Sequence, residues 1–359
     1  MKKICFYTSD YGYGHAARDI AVIRGLLDQF DLEILVKAQV PFHFMRQSLP
    51  CARVFQKKND VGVFMKKDGT EVDSKETGQM VDAWVDSWDE YIEEEAEFCK
   101  SEDVDLILSD IVAPSFLVSQ ELGIPGIGIS NFTWHFIYSH IMGHTESVQR
   151  IKEAYQAADG ALVLPFSEDM ALFKSKTDIS LISRKIAQSR ADLRRAHGLS
   201  NSGLLVYLGL GRSLDPSLFS QLRRIDRPPL YFLVSSGLRP PLENVIEIPS
   251  DEVETQDYIA MCDLVVSKAG YSTVSEAVRA RVPMCIFERD GYAEDHLIAS
   301  GIEALGIGRK ISPQQFLDGE WMDELYSLEQ YQSKFDNLGR RYRNDGLHEA
   351  ASYIGAAIF

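Results

Sequence analysis

A strand, a turn of small residues, a helix and a second strand follow one another closely in residues 264–296, which read LVVSKAGYSTVSEAVRARVPMCIFERDGYAEDH. The apolar runs at 264–267 and 284–287 have the length of buried strands, and the stretch between them has the length of a helix. Strands that alternate with helices pair in parallel and are joined by right-handed crossovers. This stretch therefore predicts an α/β fold.

The same alternation extends along most of the chain in two series. The first series of apolar runs comprises 4–8, 32–36, 106–109, 126–129 and 161–164, and the second comprises 204–208, 230–234, 245–248, 264–267 and 284–287. A polar and basic stretch at 178–200 separates them and reads as a linker. Because 359 residues is long for one core, we predict two parallel-sheet domains that face a cleft.

Three further segments carry predictions about the elements between the strands. Residues 59–72 contain KKDGT and read as a hairpin or mobile loop. The stretch from about 74 to 100 reads as one long helix with Trp84, Trp88 and Tyr91 as a packing stripe. From about Pro313 the chain reads as helical to its end, with a break near residues 344–346.

The composition excludes several classes of function. Lys and Arg number 37 and Asp and Glu number 53, so the net charge is 37 − 53 = −16. This charge argues against a general nucleic-acid binder and against adhesion to an anionic membrane. No apolar stretch is long enough to span a bilayer. The five cysteines form no C-x-x-C pair, and Cys5 and Cys285 lie in apolar runs, so we expect free thiols and a reducing compartment, the cytoplasm.

The first strand runs into SDYGYGHAARD, residues 9–19. Residues 12–17 fit the dinucleotide-binding pattern G-x-G-x-x-A, but that site needs an acidic residue after the second strand, where Lys37 stands. Alternatively, Gly12 and Gly14 allow a sharp turn, and His15 lies at a helix start. There the helix dipole keeps the imidazole neutral, as a general base requires. A histidine that only caps or packs explains the same position.

Asp110 directly follows the strand of residues 106–109, in LILSDIVAPS. In a doubly wound sheet this strand end shares an edge with the loop that holds His15, so the carboxylate is predicted to orient the imidazole. An N-cap for the following helix accounts for Asp110 equally well.

Several groups in the second half suit a phosphate and a sugar. Glycine-rich backbone beside an arginine at a helix start is typical of a phosphate site, although a plain turn explains the glycines. Glu276 suits the two hydroxyls of a ribose, but Thr273-x-x-Glu276 is also a capping box. Polar residues at the next helix start suit sugar hydroxyls or ordinary capping. The candidates are Gly209, Gly211, Arg212, Ser213, Lys268, Gly270, Ser272, Thr273, Glu276, Glu294, Asp295 and His296.

These motifs together resemble GT-B glycosyltransferases. The resemblance rests on the G-x-G-H loop, the Ser-Asp after a middle strand, and the block KAGYSTVSEA…VP…EDH. Within this group, the motifs are most similar to those of the peptidoglycan N-acetylglucosaminyltransferase and of the glycosyltransferase-like half of plant arabinokinases. GYGHAARD is also similar to the nucleotide-sugar hydrolase of pseudaminic acid synthesis.

The resemblance implies two Rossmann-like domains with separate tasks. Residues 1–185, joined by a C-terminal helix at about 346–359, would bind the acceptor, and residues 186–345 would bind a UDP- or dTDP-type sugar donor. It implies inverting hexosyl transfer with His15 as base and Asp110 as its partner. It adds Gly14 to the donor-binding residues named above. Lys268 stands where relatives often have Arg, and Asp295-His296 where many have Asp-Gln.

The resemblance implies no metal and no cofactor besides the nucleotide-sugar co-substrate. His140 and His144 share a helix face without neighbouring carboxylates or cysteines, and Asp103-Val104-Asp105 precedes its strand, so neither predicts a metal site. The expected partners are the sugar donor and an acceptor. Two alternatives remain: a nucleotide-sugar hydrolase or epimerase on the same fold, and a non-catalytic nucleotide-sugar binder.

Overall fold

The computed structural model describes residues 1–67, 69–199, 203–209, 230–236, 240, 242–343 and 345–359. The chain forms two compact units. Unit 1 comprises Met1–Phe64, Asp73–Ile182 and Arg340–Phe359, and unit 2 comprises Met65–Val72 and Ser183–Gly339. Each unit is built around a parallel sheet with alternating helices, so the predicted α/β class is confirmed.

The sheet of unit 1 contains seven described strands, all paired in parallel in the order β3-β2-β1-β4-β5-β6-β7. The strands are β1 (Lys2–Tyr7), β2 (Leu32–Lys37), β3 (Arg53–Phe55), β4 (Leu106–Ser109), β5 (Gly126–Ser130), β6 (Gly160–Val163) and β7 (Lys176–Asp178). The central strands are apolar along their length because helices cover both faces of such a sheet. Cys5 is buried in β1 as a free thiol, as predicted.

Most helices of unit 1 lie between its strands in the sequence. Two further helices, at the C-terminal end of the chain, also belong to this unit. The helices of unit 1 are α1 (Tyr13–Gln29), α2 (Phe42–Ser48), α3 (Ser74–Asp86), α4 (Trp88–Ser101), α5 (Pro114–Leu122), α6 (Trp134–Met142), α7 (Glu146–Ala157), α14 (Arg340–Arg343) and α15 (Gly346–Ile358). Local sequence sets their ends. Pro114 opens α5, Gly123 closes it with a left-handed backbone, and Thr133 caps α6 through its side chain.

Unit 2 repeats this plan with six described strands in the order β10-β9-β8-β11-β12-β13. The strands are β8 (Leu204–Gly209), β9 (Leu230–Val234), β10 (Val245–Glu247), β11 (Leu264–Lys268), β12 (Met284–Phe287) and β13 (Gly308–Ile311). The helices are α8 (Arg190–Ala196), α9 (Thr255–Ala260), α10 (Tyr271–Ala280), α11 (Ala293–Leu305), α12 (Pro313–Asp318), α13 (Glu329–Asp336) and a 3₁₀ helix at Glu320–Tyr326. Cys285 in β12 is a buried free thiol, as predicted.

The structure revises some of the predicted elements. The helix predicted from about 74 to 100 is two helices, because the chain breaks at Ser87, which ends α3 and begins α4. The predicted linker contains α8. Within residues 59–72, Met65 pairs with Val72 in an antiparallel bridge, as in the predicted hairpin, and Glu71 pairs with Asp290; both bridges belong to unit 2. In the part of the chain that the structure describes, no helix is long and apolar enough to cross a membrane.

Candidate active site

The first candidate site lies where the strand order of unit 1 reverses. Strands β1 and β4 are neighbours, but the chain continues from them toward opposite edges of the sheet. Ligands of open α/β sheets bind beyond the carboxyl ends of the strands at such a point. His15 lies in the first turn of α1, after β1, and Asp110 directly follows β4. The exposed Gly14 precedes His15, and a side chain there would meet open space.

His15 and Asp110 contact each other. The Nδ1 atom of His15 lies 3.0 Å from Oδ2 of Asp110, which is fully buried. Burial raises the pKa of Asp110, but the charges of Arg18 and His15 outweigh it and hold that pKa at about 2. Asp110 is therefore a carboxylate that can accept a proton from Nδ1 of His15. A ring with its single proton on Nδ1 keeps a lone pair on Nε2, which is the arrangement of a general base and its orienting acid.

Arg18 and Asn131 complete the contacts around this pair. Nη2 of Arg18 donates to Oδ1 of Asp110 at 2.5 Å, and Nη1 donates to Oδ1 of Asn131 at 3.0 Å. Both residues are buried. Neither residue was predicted from the sequence, although His15 and Arg18 are three residues apart in one helix, where side chains share a face. This three-residue spacing was enough to predict Arg18 as a neighbour of His15.

The backbone after Asp110 is strained. Ile111 has φ 56°, a left-handed conformation that is rare for a β-branched residue. The hydroxyl of the buried Tyr155 donates to the carbonyl of Ile111 at 2.6 Å and accepts the N–H of Trp134 at 2.9 Å. Strain of this kind persists only where surrounding contacts enforce it, and it concentrates at functional sites.

A second buried acid belongs to the same region. Asp60 accepts the indole N–H of Trp134 at 2.9 Å and the backbone N–H of Asp10 at 3.0 Å. Burial and the charge of Asp10 raise the pKa of Asp60 to about 7, and the nearby His15 opposes that shift. The ring of Phe132 meets the His15 ring edge-on, with 5.8 Å between centroids. Sequence reasoning singled out none of these neighbours.

The second candidate site lies at the corresponding point of unit 2, where β8 and β11 are neighbours. Gly209 ends β8, and a side chain there would meet Tyr207 and Ser267 at 2.5 and 3.0 Å, so close packing alone accounts for this glycine. The predicted phosphate-binding residues Gly211, Arg212 and Ser213 lie outside the described residues.

The turn from β11 into α10 holds the remaining predicted phosphate residues. Helix α10 begins at Tyr271, whereas a capping box at Thr273 and Glu276 would place its start after Thr273. A side chain at Gly270 would meet open space, so local packing does not require this glycine. Burial and the charge of Arg289 lower the pKa of the half-buried Lys268 to about 8. Ser272 is buried and Thr273 half-buried in the first turn.

Glu276 forms a buried ion pair with Arg184. Nε and Nη2 of Arg184 lie 2.9 and 2.8 Å from Oε1 of Glu276, and both side chains are buried. Helix α10 has Gly270 as its N-cap, with no side-chain cap bond, so Thr273 and Glu276 do not form a capping box. The pair joins residues 92 apart in the sequence.

The acidic loop after β12 is also organised around an arginine. Asp295 is fully buried and accepts Nε and Nη2 of Arg289 at 2.8 and 2.7 Å. Glu294 is buried beside it in the first turn of α11. His296 is exposed, with Nδ1 3.3 Å from Oε1 of Glu288. Arg289, Glu294 and Asp295 therefore lie near Lys268, whereas His296 contacts Glu288.

Among the residues that the structure describes, no group of three or more His, Cys, Asp or Glu side chains could hold a metal ion.

Proteins of similar sequence come from a plant and from an archaeon. No family model matches the chain. The chain is 28% identical over 330 residues to L-arabinokinase of Arabidopsis thaliana, covering 89% of this chain and 31% of that protein. It is 33% identical over 91 residues to an uncharacterised glycosyltransferase of Methanosarcina acetivorans, covering 24% of each. The chain thus spans about a third or less of the curated relatives that it matches.

Solved glycosyltransferases share the fold over nearly the whole chain. The calicheamicin glycosyltransferase CalG4 matches with a TM-score of 0.69 at 16% identity, covering 99% of this chain and 98% of that one. Arabidopsis thaliana UGT89C1, crystallised with UDP, matches at 0.65 and 9% identity over all of both chains. MurG of Acinetobacter baumannii matches at 0.56 and 14% identity, covering 99% of this chain and all of that one. The fold is GT-B, as the sequence resemblance implied.

Proposed function

We propose that the protein is an inverting, metal-independent glycosyltransferase of the hexosyl type, which moves a sugar from a nucleotide-diphosphate sugar to an acceptor hydroxyl. One observation carries the proposal. The contact between His15 and Asp110 lies at the switch point of unit 1, in a chain whose fold is that of solved glycosyltransferases. Unit 1 would bind the acceptor, and unit 2 would bind the donor nucleotide.

The proposed reaction is a single displacement. Nε2 of His15 takes the proton of the acceptor hydroxyl as its oxygen forms a bond to the anomeric carbon. The bond from that carbon to the diphosphate breaks, and its electron pair leaves with the diphosphate. Asp110 stabilises the imidazolium that forms. Because Asp110 is fully buried and bound by Arg18 and His15, it is poorly placed to act as a nucleophile, which favours inversion over a double displacement.

The turn into α10 supports a nucleoside diphosphate of the UDP or dTDP type. Backbone N–H groups at a helix start attract phosphate, Lys268 adds a positive charge, and Gly270 leaves room for close approach. These groups can neutralise a leaving diphosphate, which supports a reaction without metal. UGT89C1 was crystallised with UDP. Roles for Gly14, Ser272, Thr273, Glu276, Glu294, Asp295 and His296 at the donor remain predictions.

The first test is a binding and turnover screen. A ligand that binds the native state raises its melting temperature, so UDP, dTDP and their sugars are compared by thermal shift. Binding donors are then incubated alone and with candidate acceptors. A transferase releases free sugar slowly from the donor alone and turns over faster with acceptor. Fast hydrolysis that no acceptor changes would instead assign a nucleotide-sugar hydrolase.

His15→Ala is expected to lower kcat by about 10²–10⁴-fold, the usual contribution of a general base. Donor affinity should stay nearly unchanged because the donor is held by unit 2. Asp110→Asn should lower kcat less, since it disturbs orientation without removing the base. The control is His348→Ala, which changes an exposed histidine of α15. A folded His15→Ala enzyme with near-normal kcat would show that this histidine is not the base.

A further inference from the structure

Arg18 contacts both members of the His15–Asp110 pair from within unit 1. Its Nη2 lies 2.5 Å from Oδ1 of Asp110 and 3.2 Å from Nδ1 of His15, and its Nη1 is bound by Asn131. Only 2% of its surface is exposed. One guanidinium therefore joins α1 to the segments that follow β4 and β5, and its fork geometry fixes the direction of each bond.

Asp19, the next residue along α1, is a second acid beside Asp110. Its carboxyl group is fully buried and interacts with the carboxyl group of Asp110 and the hydroxyl of Thr8. Burial and the charge of Asp110 raise the pKa of Asp19 well above its usual range. Two adjacent carboxyl groups in a buried site cannot both ionise at low cost. Something must decide which of the two is the anion.

We infer that Arg18 is a positioning residue: it holds Asp110, rather than Asp19, as the carboxylate. The nearer acceptor, Oδ2 of Asp110 at 3.0 Å, then keeps the single proton of His15 on Nδ1, although the donor Nη2 of Arg18 also lies 3.2 Å from that nitrogen. Its guanidinium binds Oδ1 of Asp110 and leaves Oδ2 facing the imidazole. The significance for catalysis rests on the proposed function, because only a base at Nε2 needs this tautomer. The placement of the proton itself does not depend on any substrate.

The charged groups around His15 determine how its protonation should change when Arg18 is removed. They are Asp110 after β4, Arg18 on α1 and Asp60 in the segment before α3, with Asp19 behind Asp110. Without the guanidinium, excess negative charge remains beside the ring. Either His15 takes up a second proton at neutral pH, or Asp110 becomes protonated and donates to Nδ1, which moves the ring proton to Nε2.

The test is ¹⁵N NMR of the histidine side chains in the intact 359-residue chain, without ligand. Imidazole ¹⁵N shifts distinguish the two neutral tautomers and the imidazolium, and His15→Gln assigns the signals of His15. The wild-type ring is expected to carry its proton on Nδ1. Arg18→Met should give either imidazolium or the reversed tautomer at the same pH. Arg18→Lys, which keeps a positive charge, should restore the wild-type pattern at least partly.

The matched control is Arg24→Met, which removes another arginine of α1, one that donates to the carbonyl of Ser48. Its His15 signals should match those of the wild type. If Arg18→Met does not fold, Arg18→Met/Asp19→Asn removes the second buried carboxyl group, and His15 is expected to be imidazolium. An unchanged Nδ1-protonated ring in whichever of these two variants folds overturns the inference.

Turnover separates this inference from the proposed function. If His15 is the base, Arg18→Met should lower kcat at least about tenfold and up to the 10²–10⁴-fold that the loss of a base costs. Arg24→Met should not. A changed tautomer with no glycosyl transfer by any variant would leave the positioning role supported and the proposed reaction rejected. Normal turnover by an Arg18→Met enzyme with the changed tautomer would reject His15 as the base.

Discussion

Lys268 ends β11, two residues before the start of α10, whose N-cap residue makes no side-chain cap bond. Its side chain is half-buried, and burial and the charge of Arg289 lower its pKa to about 8. The ammonium form therefore predominates at neutral pH and is lost as the pH rises through 8. A bound diphosphate favours the ammonium form, because opposite charges stabilise each other.

Affinity for UDP should accordingly fall as the pH rises through about 8. Lys268→Met should weaken binding at pH 7 by roughly 1.5–3 kcal/mol, the range for hydrogen bonds to charged groups, and should remove most of this pH dependence. Calorimetric titration with UDP between pH 6.5 and 9.5 measures both effects. Lys334→Met, which changes an exposed lysine of α13, serves as control. Equal affinities of the wild type and Lys268→Met across this range would exclude Lys268 from the phosphate site.

At the scale of elements, Tyr155 on α7 joins the loop after β4 to the start of α6. Its hydroxyl binds the strained Ile111 and the backbone of Trp134. Tyr155→Phe leaves a buried carbonyl and a buried N–H without that partner, at roughly 1–3 kcal/mol each. We expect a lower free energy of unfolding and a lower kcat, because the loop also carries Asp110.

Tyr138→Phe is the matched control for this prediction. Tyr138 is equally buried and its hydroxyl donates to the carbonyl of Gly62, away from Asp110. Both variants should lose stability in urea unfolding, but only Tyr155→Phe should lose turnover beyond what its folded fraction explains. If the two variants retain equal turnover, Tyr155 stabilises the fold without positioning the Asp110 loop.

The sequence predicted elements whose own residues are apolar and missed those that depend on neighbours. Buried strands such as β4 and β12 were located at their observed bounds. The short strands β3, β7 and β13 read RVF, KTD and GRKI, and carry too few apolar residues to be recognised. Their pairing is provided by the sheet beside them, because strand preference depends strongly on context.

The same distinction holds for the candidate sites. The contact between His15 and Asp110 was expected because both follow strands that are adjacent in a doubly wound sheet. The pairs Arg184–Glu276 and Arg18–Asn131 join residues 92 and 113 apart, and no local pattern indicates them. Capping rules favoured Thr273 and Glu276 as a box, but the helix begins earlier and Arg184 binds the carboxylate.

Across the whole molecule, several acids are buried despite the net charge of −16. Burial is the leading cause that raises the pKa of Asp10, Asp60, Glu168 and Glu276. Each of these groups keeps its proton to higher pH in the folded chain than in the unfolded chain. Because the folded state then binds more protons, its stability falls as the pH rises through the interval between the two values.

Asp60 makes this argument testable. Its pKa is about 7 in the folded protein and about 3.9 in an unfolded chain. Its contribution to stability is therefore fully present below about pH 4 and is lost as the pH rises through 7. Asp60→Asn cannot ionise, so its free energy of unfolding should fall less between pH 5 and 8 than that of the wild type. The difference should be on the order of a few kcal/mol.

Urea unfolding at several pH values in this interval measures the difference, with Asp28→Asn, at an exposed position of α1, as control. Asp60→Asn loses one of the two oxygen acceptors that bind Trp134 and Asp10, so it can be less stable at every pH. That loss is independent of pH and does not alter the slope. Parallel stability curves for Asp60→Asn and the wild type would show that Asp60 is already ionised when the protein is folded. The buried carboxylate beside His15 would then add a negative charge to the candidate active site throughout the neutral range, and so stabilise an imidazolium there.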